Sequence, residues 1–153
     1  MTLRPARPEE APLLTEIAHA AKRHWGYPES WIAAWREALT ITPELLARQV
    51  VVVAEEEGAV RGFYALLPAG ALWLLEHLWV RPERIGSGLG RTLFADAVRA
   101  ARAGGGAVLE IEADPHAEGF YHHMGARRIG EVPADMEGTR RALPRLRLEL
   151  GAA

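Results

Sequence analysis

The sequence contains no cysteine. Without a thiol the chain can form no disulfide, bind no metal through thiolate ligands and use no cysteine nucleophile. Asparagine is also absent, and lysine occurs only at Lys22, so 17 of the 18 Lys and Arg residues are arginine. A functional site in this chain must therefore be built without thiol chemistry.

The chain also lacks a strong excess of charge and a long apolar run. Its net charge is −2 and its pI is near 6.3, whereas a nucleic-acid-binding domain is expected to have a basic stripe and a pI above ~9. The longest uncharged stretch, residues 63–75, contains Pro68 and Gly70 and is shorter than the ~17–25 apolar residues of a membrane-spanning helix. The first residues, MTLRPARPEE, lack the apolar core of a signal peptide. We expect a cytoplasmic protein with no nucleic-acid and no membrane partner.

What is present is typical of one globular domain. The 153 residues are 49% hydrophobic and 25% charged, which are ordinary fractions for such a protein. A chain of this length buries roughly 68–70% of its unfolded surface, enough for a core without covalent cross-links. Since no repeat, low-complexity run or linker is visible, residues 1–153 are predicted to form a single domain.

Hydrophobic periodicity predicts alternating strands and helices. Helices are predicted from Pro8, over 28–39 and 43–48, over 91–103, and between Asp114 and Gly125. Strands are predicted at 3–7, from Val50, and over 60–67, 71–80, 108–113, 127–132 and 143–150. This order indicates an α+β fold, a mixed sheet with helices on both faces.

A glycine-rich loop, RIGSGLGRT at residues 84–92, joins a strand to a helix. Glycines allow tight turns and a close approach of the backbone to a ligand. The start of the helix adds free N–H groups and the positive end of its dipole. Such a loop is suited to a phosphate or pyrophosphate, although similar turns also occur for purely structural reasons.

Two common phosphate loops fit this segment poorly. A P-loop ends in Gly-Lys-Ser/Thr, but here Gly90 is followed by Arg91. A nicotinamide dinucleotide site requires G-x-G-x-x-G and a later acid. Gly86, Gly88 and Glu110 meet that pattern in part, but Arg91 stands at the third glycine. An oxidoreductase therefore remains only a third choice.

The stretch from Leu78 to Arg91 resembles motif A of the GNAT superfamily of N-acetyltransferases, hydrophobic-x-Val-x-Pro followed by Gln/Arg-x-x-Gly-x-Gly/Ala. Leu78-Trp79-Val80-Arg81-Pro82 and the pair Gly88 and Gly90 match it. Ile85 stands at the Gln/Arg position, which puts a phosphate contact by that side chain in doubt. The resemblance implies a GNAT-type acyl-CoA N-acyltransferase fold, with a central, mostly antiparallel sheet and acetyl-CoA as co-substrate.

A second segment, residues 114–126, is similar to motif B of the same superfamily, Asn/Asp-Pro-x-Ala-x-x-Phe-Tyr-x-x-x-Gly-Phe/Ala, at every specified position. Locally, Asp114 suits a helix N-cap and Gly125 a helix end. By the resemblance, Tyr121 is the general acid that protonates the departing thiolate of coenzyme A. A phenol with a pKa near 10 is protonated at neutral pH and can donate.

The resemblance also implies which residues hold the cofactor. The backbone of Leu78 and Val80 would orient the pantetheine, and the glycine loop would hold the pyrophosphate. The candidate cofactor-binding residues are Leu78, Trp79, Val80, Ile85, Gly86, Ser87, Gly88, Leu89, Gly90, Arg91, Thr92, Asp114 and Phe120.

A general base is needed because an amine is mostly ammonium at pH 7. Strict alternation along residues 71–80 puts Glu76 on one face with Leu78, and His77 on the other with Trp79. A carboxylate in so apolar a strand is costly unless paired or functional. Glu76 is therefore the first candidate, unless it pairs with an arginine. His77 is second, and Glu110 and Glu112 are third.

The resemblance places the acceptor pocket at the first two helices. Lys22, Trp25, Tyr27 and Trp31 are the candidate substrate residues, with His24 and Trp35 close by, although aromatic residues in such a segment more often belong to the core. His122 and His123 do not predict a metal site, because adjacent helical residues diverge by about 100° and no third ligand is suitably spaced.

These features together predict an acetyltransferase that moves the acetyl group of acetyl-CoA to an amine of a small molecule or peptide. Direct attack in a ternary complex is expected, since no cysteine can carry the acetyl group. The alternative is a non-catalytic acyl-CoA sensor or interaction module on the same fold. Either protein would be a monomer or a homodimer.

Overall fold

A seven-stranded sheet runs through residues 1–151, the part of the chain that the computed structural model describes. Its strands are β1 (Thr2–Pro5), β2 (Val50–Glu56), β3 (Ala59–Ala69), β4 (Leu72–Val80), β5 (Val108–Glu112), β6 (Arg127–Pro133) and β7 (Ala142–Glu149). The strand order is β1-β2-β3-β4-β5-β7-β6, and only β4 and β5 pair in parallel. The predicted mixed, mostly antiparallel sheet is confirmed.

Five α-helices connect the strands: α1 (Ala11–His24), α2 (Glu29–Ala34), α3 (Pro43–Arg48), α4 (Leu89–Ala103) and α5 (Glu118–His123). The helix predicted over 28–39 is too long. After Ala34 the hydrogen bonds alternate between three- and four-residue spacing, Arg36 N to Ala33 O and Leu39 N to Trp35 O. These turns place Leu39 in the core. None of the helices in residues 1–151 has the length and apolarity needed to cross a bilayer.

Helices cover both faces of the sheet, as predicted. On one face Leu14, Ile17 and Ala18 of α1 pack against Val53 and Phe63. On the other face α4 contributes apolar side chains at helical spacing, which pack against buried residues of β3, β5 and β7. The buried residues of α4 are Leu89, Leu93, Phe94, Ala97 and Ala101.

A β-bulge interrupts β4 at the position of Glu76. Ala65 of β3 pairs with His77 whereas the next residue, Leu66, pairs with Leu75, so β4 has one extra residue. A bulge of this kind reverses the in–out alternation beyond it. Trp73, Leu75, Leu78 and Val80 all belong to the cluster on the α4 face, and Trp79 packs with the α1 face. The prediction of strict alternation along residues 71–80 is therefore wrong.

The sheet opens between β4 and β5. Their parallel register extends only from Leu72 paired with Val108 to Leu74 paired with Glu110. β4 continues to Val80, so its second half has no strand partner on this side. The opening exposes backbone groups of β4 and leaves space between the two strand ends.

The glycine loop depends on left-handed backbone at Gly86 and Gly88. Their φ angles are +84° and +90°, and Gly88 is the N-cap of α4. This cap starts α4 at Leu89, two positions before the predicted Arg91. Residues with a Cβ rarely adopt such angles, because the Cβ approaches the carbonyl oxygen.

Gly88→Ala is expected to lower the free energy of unfolding by roughly 1–2 kcal/mol, because only backbone strain is added where open space surrounds the Cβ position. Urea denaturation measures the change. Gly119→Ala is the matched control, since Gly119 lies within α5 with equally open surroundings and an ordinary φ angle. Alanine there should stabilise the protein by about 0.5–1 kcal/mol. Equal stability of Gly88→Ala and the wild type would show that Gly88 is not needed for the left-handed backbone at the start of α4.

Candidate active site

The opening between β4 and β5 contains a cavity of about 630 Å³, which we call the larger cavity. Its wall is formed by the bulged part of β4, the end of β5, α1, the segment after α2, and β7. The residues that bear on its chemistry are Lys22, Trp35, Glu76, His77, Tyr121 and Arg141.

A second cavity of about 420 Å³, which we call the smaller cavity, lies in front of the glycine loop. Most of the predicted cofactor residues line it: Leu78, Trp79, Val80, Ile85, Gly86, Gly88, Gly90, Arg91, Asp114 and Phe120. Ser87, Leu89 and Thr92 do not. Leu89 is buried in the core, and the hydroxyls of Ser87 and Thr92 donate to the Arg84 and Gly88 carbonyls.

The two cavities meet at the end of β4 and the start of α5. Five residues line both of them: Leu78, Trp79, Asp114, Ala117 and Tyr121. A group bound in the smaller cavity can therefore reach a molecule in the larger one beside the Tyr121 side chain.

The first turn of α4 faces the smaller cavity. The first N–H groups of a helix have no partner within the helix, and those of Gly90 and Arg91 belong to this turn. The positive end of the helix dipole adds to their attraction for an anion. No atom lies within 4 Å of a Cβ built at Gly86 or Gly88, which leaves the front of the loop open to a ligand.

Tyr121 lies at the junction with only 6% of its surface exposed. Its ring makes edge contacts with Phe94 at 5.6 Å and Phe120 at 5.1 Å between ring centroids. Burial, and secondarily the negative charge of Asp114, raise the pKa of the Tyr121 phenol. The hydroxyl therefore stays protonated at neutral pH and is a proton donor.

Glu76 lies at the bulge and lines the larger cavity. Desolvation by the surrounding protein, together with the negative charge of Glu112, raises the pKa of Glu76. Within residues 1–151 no arginine or lysine forms an ion pair with Glu76. The alternative explanation for this carboxylate, pairing with an arginine, is therefore not observed. A carboxylate with a raised pKa is a stronger base than an ordinary one.

His77 lines the same cavity but is held as a neutral imidazole. Desolvation by burial lowers the pKa of His77 to about 4. The indole N–H of Trp79 donates to His77 Nδ1 at 2.9 Å, which leaves the ring proton on Nε2. This arrangement makes His77 a weaker base than Glu76.

Glu110 is engaged in ion pairs. Its carboxylate accepts hydrogen bonds from Arg145 Nη2 and Arg147 Nε, both at 3.0 Å. The Arg147 hydrogen bond, and to a lesser degree Arg145, outweigh burial and lower the pKa of Glu110. Glu112, by contrast, is exposed beside Glu76.

Asp114 holds several elements together at the junction. As predicted, it caps the following turn, accepting from the His116 backbone N–H at 2.9 Å. Lys22 Nζ lies 2.6 Å from one carboxylate oxygen, and the Tyr27 hydroxyl donates to the same oxygen at 2.9 Å. Burial opposes ionisation, but the Lys22 contact and the His116 N–H lower the pKa of Asp114. The carboxylate is therefore ionised and already has partners.

The four predicted substrate residues separate in the structure. Lys22 lines the larger cavity, with Nζ 4.2 Å from the centre of the Trp35 ring. Trp25 lines the smaller cavity and stacks on His116 with ring centroids 4.8 Å apart. Tyr27 and Trp31 stack against each other with ring centroids 5.8 Å apart and line neither cavity.

Arg141 of the β6–β7 hairpin was not predicted from the sequence. It lines the larger cavity, and its guanidinium lies 5.1–5.3 Å from the ring centres of Tyr27, Trp31 and Trp35. Because more than a hundred residues separate it from these rings along the chain, no local sequence pattern could reveal the contact.

His122 Nε2 lies 2.9 Å from Glu118 Oε2, one helical turn away. In residues 1–151 no group of three His, Cys, Asp or Glu side chains is close enough to hold a metal ion.

The family model described as an acetyltransferase (GNAT) domain matches residues 17–140, which include both cavities' main walls. The chain belongs to the GNAT acetyltransferase family. No curated protein matches it at a significant level.

Solved GNAT structures have the same fold. A GCN5-related N-acetyltransferase from Rhodopseudomonas palustris is 24% identical with a TM-score of 0.79, over 97% of this chain and 94% of that one. The PaiA N-acetyltransferase of Thermoplasma acidophilum, solved with coenzyme A, has 19% identity and a TM-score of 0.78 over 97% and 98% of the chains. The acetyltransferase yncA of Salmonella typhimurium, solved with acetyl-CoA, has 24% identity and a TM-score of 0.74 over 100% and 95%.

Proposed function

We propose that the protein transfers the acetyl group of acetyl-CoA to an amine of a small molecule or peptide within a ternary complex. The observation that carries this proposal is the meeting of two cavities at Tyr121, one of them facing the start of α4. Membership of the GNAT family and the similar structures that contain coenzyme A or acetyl-CoA support it.

In this proposal the smaller cavity receives the pyrophosphate and pantetheine of acetyl-CoA. The free N–H groups of the first turn of α4 would hold the pyrophosphate, as the open, left-handed Gly86 and Gly88 leave room for it. The second half of β4 has no strand partner on its β5 side. The backbone of Leu78 and Val80 can therefore pair with the amides of the pantetheine, as an added strand would.

Glu76 and Tyr121 complete the proton transfers. Glu76 removes a proton from the ammonium, and the freed nitrogen lone pair attacks the thioester carbonyl. As the carbon–sulfur bond breaks, the electron pair moves to sulfur and Tyr121 donates its proton there. The acceptor nitrogen then loses its second proton, which restores the Tyr121 phenol through solvent, and Glu76 releases the first proton to solvent. The products are an N-acetyl amine and free coenzyme A, and no acetyl group is attached to the protein.

Glu76 is preferred to the other candidate bases for electrostatic reasons. A base works best when its pKa approaches the operating pH, and the pKa of Glu76 is raised toward it. Burial moves the pKa of His77 to about 4, and arginines hold Glu110 ionised.

Acetyl-CoA at 100 times its Kd should stabilise the protein by about 2.7 kcal/mol, a shift in Tm of roughly 5–10 °C for a domain of this size. A thermal-shift titration measures it, with NAD and ATP at equal concentrations as controls. Those two compounds should shift Tm much less. No response to acetyl-CoA, or a larger response to NAD, would contradict the proposed site.

A further inference from the structure

Arg141 is the half-buried cation of the larger cavity that has no anionic partner among the described residues, whereas Arg48, which also forms no ion pair there, is exposed at the rim. Lys22 pairs with Asp114, and Arg145 and Arg147 both pair with Glu110. The side chain of Arg141 donates one hydrogen bond within residues 1–151, from Nη2 to the Tyr27 hydroxyl at 3.1 Å. Most of its N–H groups therefore remain available.

The surrounding structure fixes the direction of this guanidinium. Three aromatic rings lie 5.1–5.3 Å from it. The β6–β7 hairpin that carries it is bound to α2, because Glu137 accepts hydrogen bonds from Ser30 at 3.0 Å and from the Trp31 indole at 3.1 Å. The Arg141 backbone N–H donates to Asp135 at 2.9 Å. Arg141 is thus held in one place at the wall of the larger cavity.

The three aromatic rings and the Tyr27 hydroxyl offset part of the desolvation of this half-buried guanidinium. An anion would supply the partner charge that is still missing. The planar fork of arginine matches a carboxylate by two parallel hydrogen bonds. The same cavity contains Glu76 and Glu112, which have no cationic partners among residues 1–151. Among the cavity-lining residues that form no ion pair within residues 1–151, the carboxylates of Glu37, Glu76 and Glu112 outnumber Arg48 and Arg141. A singly charged anion therefore suits the cavity better than a phosphate dianion.

We infer that the acceptor is an amine that also bears a carboxylate, an amino acid or a related zwitterion. This inference rests on the proposed function. Arg141 binds the acceptor carboxylate, and Glu76 and Glu112, which line the same cavity, attract its ammonium. Arg141 is therefore the residue that selects zwitterionic acceptors over simple amines.

Two readouts test this, one of them independent of turnover. Calorimetry measures the binding of the twenty L-amino acids, in small pools, and of their carboxamides, in which the carboxylate charge is removed. A coenzyme A release assay then gives kcat/KM for each acid and its amide. We expect at least one acid to bind and react roughly 10–100-fold better than its amide, the range for hydrogen bonds to a charged group.

Variants assign the preference to a residue. Arg141→Gln should reduce the acid-to-amide ratio of kcat/KM to near unity, and Arg141→Lys should retain part of it because the charge remains. Arg48→Gln is the matched control, since Arg48 is an exposed arginine at the rim of the same cavity. It should change the ratio by less than about twofold. Glu137→Gln weakens the contact of the β6–β7 hairpin with α2 but keeps Arg141. It therefore measures how much a looser hairpin alone changes the acid-to-amide ratio.

Equal binding of acids and amides, or an unchanged ratio in Arg141→Gln, would overturn the assignment. So would a ratio lost in Glu137→Gln or Arg48→Gln to the same extent as in Arg141→Gln. Arg141-dependent binding of an acid without acetylation by acetyl-CoA would support the carboxylate site and contradict the proposed function instead.

Discussion

Tyr121→Phe is expected to lower kcat by roughly 10²–10⁴, the usual contribution of a positioned general acid. Phenylalanine keeps the ring contacts with Phe94 and Phe120 but has no proton for the departing thiolate. Binding of acetyl-CoA should change little, because the glycine loop and β4 are untouched. Steady-state coenzyme A release and calorimetric acetyl-CoA binding, measured on the same preparation, separate these effects.

Tyr64→Phe is the matched control for this substitution. Tyr64 is also a buried tyrosine, but it lies on the α4 face and its hydroxyl donates to Asp96 at 2.7 Å, away from both cavities. Its loss should cost about 1 kcal/mol of stability and leave kcat nearly unchanged. Wild-type turnover in Tyr121→Phe, or an equal loss in both variants, would remove Tyr121 from the mechanism.

Glu76→Gln is expected to lower kcat/KM by a similar factor, roughly 10²–10⁴, because the amide cannot accept the proton of the ammonium. The pH profile gives the sharper test. In the wild type, kcat/KM should fall as the pH drops through the pKa of Glu76, which lies above that of an ordinary glutamate. Glu76→Gln should lack this acidic limb.

Glu112→Gln provides the control for the acidic limb. The negative charge of Glu112 raises the pKa of Glu76, so its removal should lower that pKa and move the limb to lower pH. On the plateau kcat should persist, while KM for the acceptor rises because Glu112 also attracts its ammonium. An acidic limb that survives in Glu76→Gln, or that stays in place in Glu112→Gln, would indicate a different base.

The parts of the fold that depend on local sequence were predictable. Pro8, Gly26 and the apolar spacing of α1 mark a helix, and Asp114 with Gly125 mark the ends of the segment that includes α5. The glycine loop was predictable for the same reason, because the left-handed residues and the helix start are neighbours along the chain. The motif of the glycine loop and the motif around Tyr121 were sufficient to predict the GNAT family.

The bulge in β4 could not be predicted, because it is defined by pairing with β3 rather than by the sequence of β4 alone. One extra residue at Glu76 reverses the side-chain alternation after it. Glu76 and His77, placed on opposite faces by strict alternation, consequently line one cavity.

The electrostatic environment of the larger cavity could not be predicted either, because its charged residues pair with residues far away along the chain. Arg145 and Arg147 form ion pairs with Glu110, and Asp114 accepts hydrogen bonds from Lys22 and Tyr27. Arg141 reaches Tyr27 from a distant hairpin. Sequence patterns do not specify which of several arginines meets a given carboxylate, and it is this pairing that leaves Glu76 and Arg141 without ion pairs among the described residues.

The most direct test of direct transfer is intact mass spectrometry of the protein and of its products after incubation with isotopically labelled acetyl-CoA, with and without the amino-acid pool. With the pool, the label should appear on an acceptor nitrogen with one free coenzyme A per acetyl group transferred. Without the pool, the protein should bind acetyl-CoA but remain unlabelled. A covalently labelled protein that passes its acetyl group to the acceptor, or tight binding of acetyl-CoA with no transfer to any amine, would contradict direct acetyl transfer.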